Sequence, residues 1–433
     1  TAYQPAVPAA VSAKTGSPVQ PVRQPGGWTR VWSEPKVVLT GSGSYDRPAD
    51  RLVMRELAVQ SRALTVQQVT AQVEQLSTRA LVDISGQCQY DLAAWSRLLL
   101  PFPTDAVRIS GRGSHPFRIR GPLADALFAS PGARPWWTGL DVEAGAAWDH
   151  IAAYGLEVGQ GELRAAFRDG VLRCDPIQAA LNDGRLHISP VLQLDGQGKL
   201  LSVGTGRVIE EVKITPEVCQ TWLKYVAPLL AGATRAEGQF SVDLQRATVP
   251  LQAPRHSDLA GVLTIHAAQI RPGPLAVQLI QIGQQVEAIL QRKPPDATLT
   301  AARTTQLNID AQQVRFAVAN QRVHHHAFQV QMGDVTIRTS GVVGMDGTLQ
   351  MVAEIPVRDR WVERDRYLKA LRGQSLRIPI SGSIRRPKVD QRVLSDITRQ
   401  MAAGAASSVL EDAVNKGLEK GLHDLFRRGG EGR

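Results

Sequence analysis

Residues 81–92 read LVDISGQCQYDL, and this stretch decides the fold. Val82, Ile84, Gly86, Cys88, Tyr90 and Leu92 alternate with Asp83, Ser85, Gln87, Gln89 and Asp91. A period of two puts the apolar and small side chains on one side of an extended chain and the polar ones on the other, whereas a helix would scatter both sets around its axis. The stretch is a β-strand with one face that must be covered.

Working outward, the same rhythm returns at Leu163, Ala165, Phe167; Phe240, Val242, Leu244; Leu263, Ile265, Ala267; Val314, Phe316, Val318; Phe328, Val330, Met332; and Leu349, Met351, Ala353, Ile355, Val357. Between such segments stand Asp169-Gly170, Asp183-Gly184, Asp195-Gly196 and Asp346-Gly347. These pairs supply the positive φ angles of tight hairpins, so neighbouring strands are expected to pair antiparallel. The connections are too short for the helical crossovers of a parallel sheet, which excludes the doubly wound nucleotide-binding folds.

Helical signals are few. Thr215-Pro216-Glu217 supplies an N-cap, a first-turn proline and a first-turn acid for a helix over 216–228. Leu275, Leu279, Ile282, Val286 and Ile289 fall on one face of a helix over 274–292, and a weaker helical pattern runs from 391 to 426. Residues 1–27 hold five prolines among Ala, Ser, Val and Gln and read as an extended linker. The organisation expected is this linker, a β-rich unit over 28–135, a meander with the first helix over 136–260, a further β unit over 261–390, and a C-terminal helix and tail over 391–433.

The chain has 433 residues and a net charge of +10, with only 8 Trp, 6 Tyr and 8 Phe. Its cores must therefore be filled by Val, Ile, Leu and Ala. The positive charge is dispersed, mostly as Arg and without a like-charge run, so it shows no nucleic-acid patch. Cys88, Cys174 and Cys219 match no metal or redox spacing and are expected to be small buried residues. No apolar run reaches the 18 or so residues of a membrane span.

Motifs that carry chemistry are sparse. His324, His325 and His326 offer imidazoles, the commonest transition-metal ligands, but only alternate residues of a strand share a side, and exposed hairpin residues are the expectation. Gly41-Ser42-Gly43-Ser44 and Gly111-Arg112-Gly113 lack the following Lys-Ser/Thr helix of a phosphate cradle. No nucleophile elbow or zinc-protease motif occurs. No catalytic residue, metal or cofactor is assigned.

Two further stretches carry a resemblance. Residues 314–357, VRFAVANQRVHHHAFQVQMGDVTIRTSGVVGMDGTLQMVAEIPV, and 376–390, LRIPISGSIRRPKVD, resemble the C-terminal region of AsmA-like proteins, with a strand, an Asn-containing turn, two strands, a Ser-Gly pair and a closing Pro-containing turn. Residues 81–99, LVDISGQCQYDLAAWSRLL, are similar to that family's strand followed by a short helix.

The resemblance implies a mainly β fold with a few helices, an elongated and twisted antiparallel β-groove of many short strands capped by helices, as in the TamB-type group. It implies a non-enzymatic protein of the periplasm or cell envelope, held to the inner membrane by an anchor upstream of this chain. Its partners would be phospholipid acyl chains, with possible envelope protein partners and no nucleic acid. The groove candidates are Val82, Ile84, Val314, Phe316, Val318, Val330, Met332, Leu349 and Met351. An alternative is a structural β protein that scaffolds other proteins without a lipid.

Overall fold

Period-two alternation becomes antiparallel pairing wherever register is resolved. The computed structural model describes residues 37–61, 64–99, 107–123, 135, 137–194, 198–291, 307–332, 335–357, 375–390 and 392. The expected linker over 1–27 and, apart from Arg392, the expected C-terminal helix and tail lie outside that set. The chain folds as two units, one of residues 1–212 and 246–257, the other of residues 213–245 and 258–433.

The first unit contains β1 (Val38–Asp46), β2 (Arg51–Gln60), β3 (Leu64–Glu74), β4 (Leu81–Asp91), the helix α1 (Leu92–Leu99), β5 (Val107–Ser110), β6 (Arg112–Pro122), β7 (Asp141–Trp148), β8 (His150–Ala153), β9 (Leu156–Val158), β10 (Gly161–Arg168), β11 (Val171–Cys174), β12 (Ile177–Leu181), β13 (Gly184–Ile188), β14 (Pro190–Leu194), β15 (Lys199–Val203) and β16 (Gly206–Lys213). The strand β17 (Arg235–Pro250) gives this unit its last five residues. At the start of α1 the Asp91 carboxylate accepts a hydrogen bond from the Ala94 amide at 3.1 Å, as a cap should.

Pairing sorts these strands into two ladders. One runs β1, β2, β3, β4, β6, β7, β10, β11, β14, β15, β17. The other runs β5, β8, β9, β12, β13, β16. The chain passes from one ladder to the other at short interruptions inside otherwise continuous strands: Gly111, Asp149, Gly159–Gln160, Asp175–Pro176, Ser189 and Gly204–Thr205. At Gly111 (φ 155) an added Cβ would stand 2.7 Å from the Trp148 Cα, so close approach of the next strand requires glycine at that bend.

Of the four expected Asp-Gly turns, Asp195-Gly196 lies outside the described residues, and the others follow the expected chemistry with shifts. Asp169 and Gly170 take φ 47 and 79, as a two-residue turn of the expected type needs. At the next turn the left-handed pair is Asn182 and Asp183, one residue earlier than expected, because Leu181 pairs with Gly184 and a Cβ on Gly184 would meet the Glu210 and Glu211 backbone. Tyr154-Gly155 and Asn320-Gln321 also turn with positive φ, the first despite its bulky aromatic residue.

In the second unit Thr215 caps a helix through its hydroxyl, which accepts from the Val218 amide at 3.2 Å, as the sequence predicts. The helix α2 runs Pro216–Val218, widens to a π turn at Cys219–Leu223 and closes at Lys224–Val226. After the first part of β17 come β18 (Asp258–Arg271), α3 (Pro274–Gln291), β19 (Leu307–Ile309), β20 (Gln312–Ala319), β21 (Arg322–Met332), β22 (Val335–Gly344), β23 (Leu349–Pro356), β24 (Ser375–Gly382) and β25 (Pro387–Val389). The strands β18, β20, β21, β22, β23, β24 and β25 pair in that order. Leu275, Leu279 and Ile282 of α3 are buried, as its periodicity predicts.

Candidate functional site

Cross-strand neighbours determine what a sheet face offers. In the first ladder one line of paired residues reads Gly43, Met54, Ala71, Ile84, Ile119, Val142, Phe167, Leu172, Leu192, Leu201, Val249 across eleven strands. Every member is apolar or glycine. Of the ten side chains only Ala71 is buried, and the other nine keep part of their surface. Flanking pairs on the same face are also apolar: Leu52 with Val73 and Val82, Gly86 with Phe117, and Ala144 with Ala165 and Cys174.

The opposite face of the same strands is charged. Arg118 Nη2 lies 2.8 Å from the Asp83 carboxylate, and Arg168 reaches both Asp141 at 3.1 Å and Glu143 at 3.3 Å. The Arg118 guanidinium beside Asp83 holds that carboxyl below its ordinary range. These pairs are exposed, and their contribution is to mark which face meets water.

The groove candidates fall into two groups. In the first unit Ile84 belongs to the part-exposed row, while Val82 packs with Val73 and Ala80 in a small buried cluster. In the second unit Val314, Val318, Val330, Leu349 and Met351 are buried, with 0–8% of their surface exposed, and only Phe316 keeps more. Met332 pairs with Val335, and its side chain lies outside the described set. A depression of about 260 Å³ touches Leu349, but Arg322, Thr348, Gln350 and Ser381 also line it, so it offers a small and mixed surface.

Sequence reasoning therefore missed the residues that form the longest open apolar row, Val142, Phe167, Leu172, Leu192 and Leu201. Alternation at Leu163, Ala165 and Phe167 was the available signal. What it does not carry is the register that lines those residues up with Ile84 and Ile119.

Histidine and cysteine placements depart from expectation. His324 and His326 are exposed, but His325 is wholly buried, and neither ring nitrogen has a hydrogen-bond partner. The cause is register: His325 pairs with Phe316 and Gly341, and Gly341 pairs with Met351, so the imidazole occupies a place in an apolar row. Burial, aided by the two neighbouring histidines, pulls its pKa down to about 4, so it is neutral at physiological pH. Among the described residues no group of three metal-ligating side chains converges.

Cys219 is buried, as expected, and its thiol is pushed up to about 12. Cys88 and Cys174 instead keep part of their surface, because they lie on the incompletely covered face; burial still raises both thiols.

A serine and a histidine also meet. Ser241 Oγ lies 2.7 Å from His266 Nε2, within nucleophile-to-base reach, but Ser241 is wholly buried, and the pair is a cross-strand link between β17 and β18. Among the described residues no helix is long and apolar enough to cross a membrane. Comparison with known proteins matches no family model, no curated protein and no solved structure.

Proposed function

We infer that this chain is a non-enzymatic lipid-binding protein of the cell envelope, and that its first unit holds phospholipid acyl chains along the open apolar row. The observation that carries the reading is that row: eleven paired strands without a polar side chain, nine of its residues only partly covered. Apolar surface left in water in this way costs about 25 cal/mol per Å², and contiguous patches of it mark binding surfaces. Acyl chains ask for burial and nothing more, so a row of Val, Ile, Leu and Phe suits them. Sugars, nucleotides and peptides would need hydrogen-bonding groups that this row lacks.

Length favours passage over a single pocket. Eleven strands spaced ~4.8 Å apart make a row roughly 48 Å long. One acyl chain covers about 15 Å, half the ~30 Å hydrocarbon core of a bilayer. The row thus has room for more than one lipid. A chain arriving from a bilayer trades one apolar surrounding for another, so the net driving force is small, which suits entry and release.

The experiment is solvent extraction and mass spectrometry of the purified protein, beside Leu172→Asp and Leu192→Asp variants. Phospholipid at more than one molecule per chain in the parent, and reduced in both variants, is the expected result. A lipid-free parent that also fails to take up phospholipid from vesicles would refute the reading.

A further inference from the structure

The strand β1 is an open sheet edge. One side pairs with β2 along its length, and among the described residues no strand pairs with the other. All nine residues of β1 are exposed. Natural edge strands are usually protected by lysines, prolines or a bulge that turns the edge away. The segment VLTGSGSYD has no proline and a single charge, Asp46, at its end, and the irregularity in this pair sits on β2 at Glu56 (φ 57).

Unpaired amides and carbonyls on an extended edge select another extended strand, and the sequence indicates which one fits. Reversed about Ser42, the segment is complementary to itself: Leu39 meets Tyr45, Gly41 meets Gly43, Thr40 meets Ser44, and Ser42 meets its own copy. Leu39, Gly43 and Tyr45 lie opposite Val59, Met54 and Leu52, on the apolar face. Leu39 is 56% exposed and Tyr45 49%, among the most exposed large apolar side chains described. In this register each covers the other, while the glycines between them leave space for both. Thr40, Ser42 and Ser44 on the other face form hydroxyl pairs of the kind that stabilise cross-strand contacts. Asp46 lies opposite Val38, so no like charges meet.

We propose that a second copy of this chain docks antiparallel on β1, centred on Ser42, as a two-fold dimer. Gly43, the first member of the apolar row, then lies opposite Gly41 of the partner copy, so the apolar faces of the two copies share one side of the joined sheet. The proposal stands on the edge strand and is independent of whether lipid is bound.

The test uses the full chain. Sedimentation velocity across a concentration series is run on the parent and on Ser42→Lys, which would place two like charges on the two-fold axis. Ser42→Cys and Thr40→Cys are oxidised mildly, and their links are located by mass spectrometry. The proposal expects concentration-dependent dimers in the parent, their loss in Ser42→Lys with an unchanged circular dichroism spectrum, and a 42–42 link at least fivefold more abundant than a 40–40 link. A parent that stays monomeric throughout overturns it. So does a dimer that survives Ser42→Lys, or one in which the two cysteine variants link equally, because another surface would then be the interface.

Discussion

Phe167 in the first unit lies between the apolar cross-strand neighbours Val142 and Leu172, and Phe328 in the second lies opposite Thr339, which pairs on with Ala353. Phe328 is wholly buried, as are Thr339 and Ala353 beside it, whereas Phe167 keeps part of its surface, as do Val142 and Leu172. The same alternation thus ends in two states. In the second unit the apolar face is a filled core. In the first, nine side chains of the row keep part of their surface in water. The difference teaches that period two specifies a face but not its occupant, and that the strands which look most like a family signature need not be those left open.

The contrast can be broken by truncation. Phe328→Ala should cost about 3–5 kcal/mol, the range for a large core side chain whose cavity cannot collapse. Phe167→Ala should cost less, about 2 kcal/mol, because part of the surface it loses is already in contact with water. Urea denaturation followed by circular dichroism checks both, and equal losses would erase the distinction between the two units.

Acid should separate the units next. His325 titrates near 6.5 when unfolded and near 4 when buried, so the unfolded chain binds the extra proton between those values. Stability of the second unit is therefore intact above about pH 6.5 and falls as pH drops toward 4, by about 3 kcal/mol in total. Replacement of His325 by Leu should flatten that dependence. Denaturation midpoints at pH 7, 5.5 and 4.5 decide it, and an identical slope in the variant would contradict the assignment.

The smallest effect should come from the charged face of the first unit. Asp83→Asn removes the partner of Arg118 and Arg120, both exposed, and should leave the melting temperature within experimental scatter, as isolated surface pairs usually do. A large loss would mean that the ion pairs, and not the apolar row, hold those strands in register.

Much of the fold was legible because side-chain alternation and turn chemistry are local. LVDISGQCQYDL became β4 and the start of α1, and Thr215-Pro216-Glu217 opened a capped helix. The widening at Cys219–Leu223 left no signal in the sequence, nor did the break of a long strand at Asp149, whereas the break at Ser189 was announced by the proline that follows it, Pro190.

The candidate face was legible only in part. Val314 and Val142 are the same residue in similar patterns, yet one is 0% exposed and the other keeps part of its surface, a difference that alternation alone does not carry. His325 shows the same lesson from the polar side. Two of three consecutive histidines behave as surface residues, and the third is placed in the core by pairing that no local rule reveals.

The cysteines allow the most direct test, because Cys88 and Cys174 lie on the open face of the first unit and Cys219 lies buried in the second. Maleimide labelling at pH 8.5, resolved by mass spectrometry, should modify Cys88 and Cys174 in the folded protein and Cys219 only after denaturation. With phospholipid vesicles added, the account predicts that Cys88 and Cys174 become protected severalfold while Cys219 does not change. Labelling of Cys88 and Cys174 at the same rate with and without lipid would contradict the claim that acyl chains occupy that face.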